Sequence, residues 1–88
     1  MNQLEYKIEY TEKAIKYFES LEKKEAERLF KKIEAIKSNP LHFIEKLTGV
    51  GLWKLRIGDY RAIIRLNIAG NIISVVDIGH RRNIYKNL

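Results

Sequence analysis

The sequence predicts an α+β fold: a helical hairpin packed on a mainly antiparallel sheet, in the order β-α-α-β-β-β. Three observations predict it. Apolar residues alternate with polar ones near the start, change to helical spacing through the next thirty or so positions, and return to alternation from Leu52. Glycine, asparagine and proline gather where those periods change. Hydrophobic content of 45% with a single proline describes a folded globule rather than a disordered chain. The 88 residues suit one domain, residues 1–88, with one modest core.

Each element follows from its own pattern. Leu4, Tyr6, Ile8 and Tyr10 alternate with Glu5, Lys7 and Glu9, the period of a half-buried strand. Thr11 is placed to cap a helix, with Glu12 in its first turn. Ala14, Ile15, Phe18 and Leu21 form that helix's expected apolar face, and Ser20–Lys24 turns the chain. Ala26, Leu29, Phe30, Ile33 and Ile36 mark a second helix, with acids at its start and lysines at its end as the helix dipole favours. Asn39-Pro40 stops it. Residues 40–51 read as a connector with room for one short helical turn. Leu52–Ile57 and Tyr60–Asn67 are strands joined by a tight turn at Gly58-Asp59. Ala69-Gly70-Asn71 turns the chain again, and Ile72–Ile78 is apolar enough to be an inner strand.

Composition excludes several function classes. There is no cysteine, so disulfides and thiolate metal sites are ruled out. Two histidines, His42 and His80, do not make a His-based metal centre, and no carboxylate cluster compensates; no cofactor is expected. The start of the chain lacks the pattern of a signal peptide and no apolar run reaches membrane-spanning length, so a cytoplasmic protein without membrane contact is expected.

The charge is the informative part. The net charge is +6, and all of it falls after residue 45, where Asp59 and Asp77 are the only acids. A two-residue turn at Gly58-Asp59 sets Ile57 opposite Tyr60, Arg56 opposite Arg61 and Lys54 opposite Ile63. Trp53, Leu55, Ile57, Tyr60, Ala62 and Ile64 then face the core, while Lys54, Arg56, Arg61 and Arg65 share the other face. Like charges in cross-strand register destabilise a sheet. A soluble face built without a purpose would mix in acids. The pattern therefore points to an anion-binding face, with arginine supplying forked donors for phosphate. Asp59 reads as a turn former, Trp53 as core, and Asp77 as an internal salt-bridge partner for a nearby arginine. The end of the last strand should bring residues 79–81 close to Tyr60 and Arg61. That delivers His80, Arg81, Arg82 and Tyr85 to the edge of the basic face and leaves open which of Arg81 and Arg82 faces the site. An aromatic beside arginines suits base stacking or proton transfer at a phosphate.

The run Leu52-Trp-Lys-Leu-Arg-Ile-Gly-Asp-Tyr-Arg61, followed by Gly79-His-Arg-Arg-Asn-Ile-Tyr85, resembles the RelE/ParE toxin superfamily, and RelE-type toxins in particular. The resemblance covers nearly the whole chain. It implies the toxin of a type II toxin-antitoxin system: a metal-independent endoribonuclease that cleaves messenger RNA on the ribosome, by attack of the 2′-hydroxyl on the adjacent phosphate. By similarity, Lys54 and Arg56 match the basic pair on the second strand, Arg61 the arginine after the hairpin, Arg81 the arginine after the last strand, and Tyr85 the terminal tyrosine. On that reading Arg61 and Arg81 hold the scissile phosphate, Tyr85 stacks on the base or moves a proton, and Lys54 and Arg56 position the backbone and assist acid–base steps. Arg65, Arg82 and His80 are the expected RNA-binding residues beyond the catalytic set. The resemblance also implies a RelB-like antitoxin partner, usually with an acidic or amphipathic segment. Three alternatives stand beside it: a ParE-type inhibitor of DNA gyrase, a non-catalytic RNA-binding module, and an inactive toxin kept as a partner for its antitoxin.

Overall fold

A computed structural model describes residues 5–47, 49 and 51–84. They form β1 (Lys7–Tyr10), α1 (Glu12–Glu19), α2 (Lys23–Glu34), a short 3-10 turn (Pro40–His42), β2 (Ile44–Lys46), β3 (Trp53–Ile57), β4 (Tyr60–Asn67) and β5 (Ile72–His80). The five strands make one sheet in the order β1-β5-β4-β3-β2. β1 runs parallel to β5, and every other pair is antiparallel. Both helices lie on one face, α1 over β5 and α2 near β3. The α+β fold and the hairpin-on-sheet arrangement are as expected from the sequence. Leu4 and Tyr85 lie outside the described residues.

The core sits between helices and sheet. Ala14, Leu29, Ile33 and Ile36 from the helical layer meet Leu55, Ile57, Ala62, Ile64, Ile73, Val75 and Ile78 from the sheet. Trp53 and Tyr60 pack against it half-buried. Thr11 caps α1: its Oγ1 accepts from the Ala14 amide at 3.2 Å and donates to the Val76 carbonyl at 2.7 Å. Two residues of the expected helical faces turn outward. Ile15 is 45% exposed and Phe30 47% exposed. Tyr17 takes the inward place on α1, and Phe30 instead stacks on Tyr10 with its ring 6.0 Å away.

The connector differs from expectation. It holds the helical turn, but it also contributes β2, which pairs Ile44 with Leu55, Glu45 with Lys54 and Lys46 with Trp53. The bond from the Leu47 amide to the Leu52 carbonyl, 2.8 Å, closes a loop in which Gly49 and Gly51 take φ of +80° and +66°. Only glycine adopts such angles readily, which is why a β-hairpin hides inside a stretch read as a linker. Beyond its end against β1, β5 carries a bulge: Ile63 pairs with Asp77 and Ile64 with Val75, so Val76 is the extra residue.

Candidate nucleic-acid interface

The hairpin register is the one read from the sequence. Ile57 pairs with Tyr60, Arg56 with Arg61 and Lys54 with Ile63. Gly58 takes φ +58° in the turn. Lys54, Arg56, Arg61 and Arg65 therefore occupy register positions on the sheet face opposite the helices. The far end of β5 closes on the same turn. Tyr60 pairs with His80 and Arg61 with Gly79, and the Arg81 amide donates to the Asp59 carbonyl at 2.8 Å.

Within this frame the cations differ sharply. Arg56, Arg65, Arg81 and Arg82 are exposed. Arg61 is only 6% exposed. Its guanidinium turns back on the hairpin, where Nη1 donates to the Gly58 carbonyl at 2.8 Å and the Tyr60 carbonyl at 2.7 Å. Two carbonyl dipoles solvate the buried charge and explain how Arg56 and Arg61 tolerate direct cross-strand register. Lys54 is half-buried, and its Nζ lies 3.7 Å from Glu45 Oε1 on β2. The face is thus not free of acids. Glu45 stands directly across from Lys54, and Glu9 on β1 sits across from Ser74, itself the partner of Arg65. The signal for Glu45 was present as Ile44-Glu45-Lys46-Leu47 before a two-glycine loop and a strand. Its shortness concealed it.

His80 does not join the arginines. Its register partner is Tyr60 on the helix-side face, and its ring lies 6.0 Å from that of Tyr60. Nδ1 accepts a long 3.4 Å bond from the Arg82 amide. Tyr17 completes this aromatic row, its ring 6.3 Å from Tyr60. Burial, followed by Glu25, raises the pKa of the Tyr60 hydroxyl. Burial and the charge of Asp77 do the same for Tyr17. In both, the neutral phenol is therefore favoured over the phenolate. Glu25 is drawn below the usual carboxylate range by Arg28, its partner at 2.9 Å, and then by Tyr60. Asp77 is buried, as its strand position suggested, but its partner is a lysine: Oδ2 lies 3.2 Å from Lys13 Nζ, while Oδ1 accepts from the Ile78 amide. The arginine partner expected from sequence is replaced because α1, not the basic face, packs against that end of β5. Among the described residues no three His, Asp or Glu side chains gather as a metal site, and no helix is long and apolar enough to cross a membrane.

The tail is anchored at both ends of its described part. Beyond the Arg81 bond, the Asn83 amide donates to the His80 carbonyl at 2.9 Å. Ile84 is buried against Gly79, where an added Cβ would come within 3.1 Å of Ile84 Cδ1.

A two-helix layer on one side of a five-stranded sheet, with exposed Arg56 beside the β3–β4 turn and the backbone of exposed Arg81 tied to that turn, defines a small α+β protein of the RelE-like fold. The family model of the ParE toxin of type II toxin-antitoxin systems, parDE, matches residues 8–85, and the chain belongs to that family within the RelE/ParE toxin superfamily. No curated protein sequence matches it. Among solved structures it is similar to the RelBE2 toxin-antitoxin complex of Mycobacterium tuberculosis, with a TM-score of 0.81 and 18% identity over 89% of this chain and 100% of that one. That likeness concerns the fold alone. The archaeal RelE-RelB complex of Pyrococcus horikoshii gives a TM-score of 0.75 and 25% identity over 91% of this chain and 99% of that one. The isolated RelE toxin of E. coli gives 0.71 and 25% over 93% of each chain.

Proposed function

We propose that this type II toxin is a metal-independent endoribonuclease that cleaves messenger RNA on the ribosome, in the cytoplasm. The observation that carries the reading is the convergence of exposed Arg56, Arg81 and Arg82 at the Gly58-Asp59 turn, delivered by two separate elements. Such a surface repels itself until a polyanion lies on it. The 25% identity to two RelE structures supports the same branch of the family.

In the proposed reaction the RNA 2′-oxygen bonds to the adjacent phosphorus and the bond to the 5′-oxygen breaks. A proton leaves the 2′-hydroxyl and another reaches the departing 5′-oxygen, giving a cyclic phosphate and a 5′-hydroxyl. Negative charge grows on the phosphorane oxygens, and Arg81 with Arg56 stabilises it there. Arg65 and Arg82 contact neighbouring phosphates, and Lys54, with Glu45 beside it, positions the backbone. Tyr85 stacks on the base or moves a proton. A RelB-like antitoxin with an acidic segment docks on the same cations and blocks them, which predicts co-purification of a small acidic partner.

Arg81→Ala should lower messenger cleavage in a translating extract at least about a hundredfold, the size of effect typical for a transition-state donor, while the protein keeps its thermal midpoint. Primer extension after brief induction reads the cuts. Cleavage near the wild-type rate would remove Arg81 from the site. One observation favours a second reading: the matching family model is that of the ParE toxin, parDE. Loss of gyrase supercoiling with messenger intact would establish that branch instead.

A further inference from the structure

Three consecutive carbonyls at the hairpin tip all accept hydrogen bonds. Gly58 and Tyr60 receive theirs from the buried Arg61 guanidinium, and Asp59, between them, receives the backbone N–H of Arg81. Arg61 is also directly across β4 and β5 from Gly79, the residue on which Ile84 packs. The side chain that the family resemblance assigns to the scissile phosphate thus lies under the turn to which the tail is tied. We propose that Arg61 is a positioning residue. It fixes the Gly58-Asp59-Tyr60 peptide planes so that the Asp59 carbonyl holds Arg81 in place, and Arg81, not Arg61, meets the anion.

The physical argument is one of competing partners. An arginine gripping phosphate presents its fork to solvent. Arg61 is almost entirely covered, and its Nη1 is committed to two short bonds to neutral carbonyls. A two-residue turn with glycine at positive φ has little stiffness of its own. Without the guanidinium, the Gly58 and Tyr60 carbonyls must find water, and the planes are free to rotate. The Asp59 carbonyl rotates with them, and the tail loses its first anchor.

The test has one arm that needs no RNA. In Arg61→Ala, exchange of the Arg81 amide hydrogen should accelerate about tenfold or more, as expected for losing one hydrogen bond. The strand amides of Ile64 and Ile73 should keep their wild-type rates. Wild-type protection at Arg81 would overturn the proposal. Arg61→Lys serves if the alanine variant does not fold. Lysine keeps the charge, but its strongly hydrated ammonium resists burial. Positioning predicts lost protection at Arg81 in this variant too, and retained protection overturns it.

The second arm rests on the ribonuclease reading and measures cleavage. Arg61→Ala should lower kcat and leave KM within about twofold, because the exposed phosphate contacts are intact. The Arg61→Ala/Arg81→Ala pair should cleave no more slowly than Arg81→Ala alone. Losses that multiply would make Arg61 a direct contact and sink the proposal. A wild-type protein that cleaves nothing defeats the ribonuclease reading, while the exchange arm still decides the role of Arg61.

Discussion

Tyr10 shows how much one hydroxyl can report at the residue scale. It donates to Glu34 Oε2 at 2.9 Å, and its ring meets Phe18 and Phe30. Burial, and then the hydrogen bond and charge of Glu34, push its pKa well above the ordinary 10.0. The folded state therefore disfavours the tyrosinate. The stability this represents is complete below the unfolded pKa and drains away as pH rises above it. Denaturation midpoints taken between about pH 9 and pH 11 should fall less steeply for Tyr10→Phe than for the wild type. At neutral pH the same variant should lose about 1 kcal/mol, the net worth of one such bond. Equal slopes would show that neither burial nor Glu34 holds the Tyr10 phenol protonated in the folded state. Arg61 is the contrasting case. Strand parity read its face correctly, but an arginine can turn along a sheet as well as out from it, and only the acceptors at Gly58 and Tyr60 decide which.

At the level of elements, the junction of β1, α1 and β5 is the most heavily used. Thr11 ends β1, caps α1, and donates to the carbonyl of Val76, the extra residue of the β5 bulge. Its amide also donates to the Val75 carbonyl at 3.1 Å. One side chain thus joins the helix start to the point where β5 leaves its partner β1. Thr11→Ala should cost about 1–2 kcal/mol in urea denaturation, as helix caps do, and Thr11→Ser should recover most of it. A loss of only a few tenths would mean that the Val76 bond carries no weight. The cap was readable because Thr-Glu precedes a helical apolar pattern. The bulge and β2 were not. A bulge has no composition of its own, and a three-residue strand is too short to display a period.

For the whole molecule, the charge asymmetry becomes a directed one. The edge strands place Glu9 and Glu45 on the sheet face, so the exposed positive charge concentrates toward the Gly58-Asp59 turn and the tail tied to it. Binding to single-stranded RNA through Arg56, Arg65, Arg81 and Arg82 should then weaken with salt. A log–log slope near about −3 follows from roughly 0.7 per phosphate contact. A flat dependence would mean that these arginines do not meet phosphates. The measurement holds whether or not the RNA is cut, so it separates binding from chemistry.

The linear chain determined the class of fold, the Arg56–Arg61 register and the identity of the cationic surface. These depend on alternation, glycine turns and helical spacing, all local in sequence. Tertiary structure alone decided which cations stay available. Glu45 reaches Lys54 across a strand pair that the connector concealed, Lys13 reaches Asp77 from a helix, and Arg61 folds beneath its own turn. Charge is written along the sequence, but its solvation depends on what the folded chain brings within hydrogen-bonding distance.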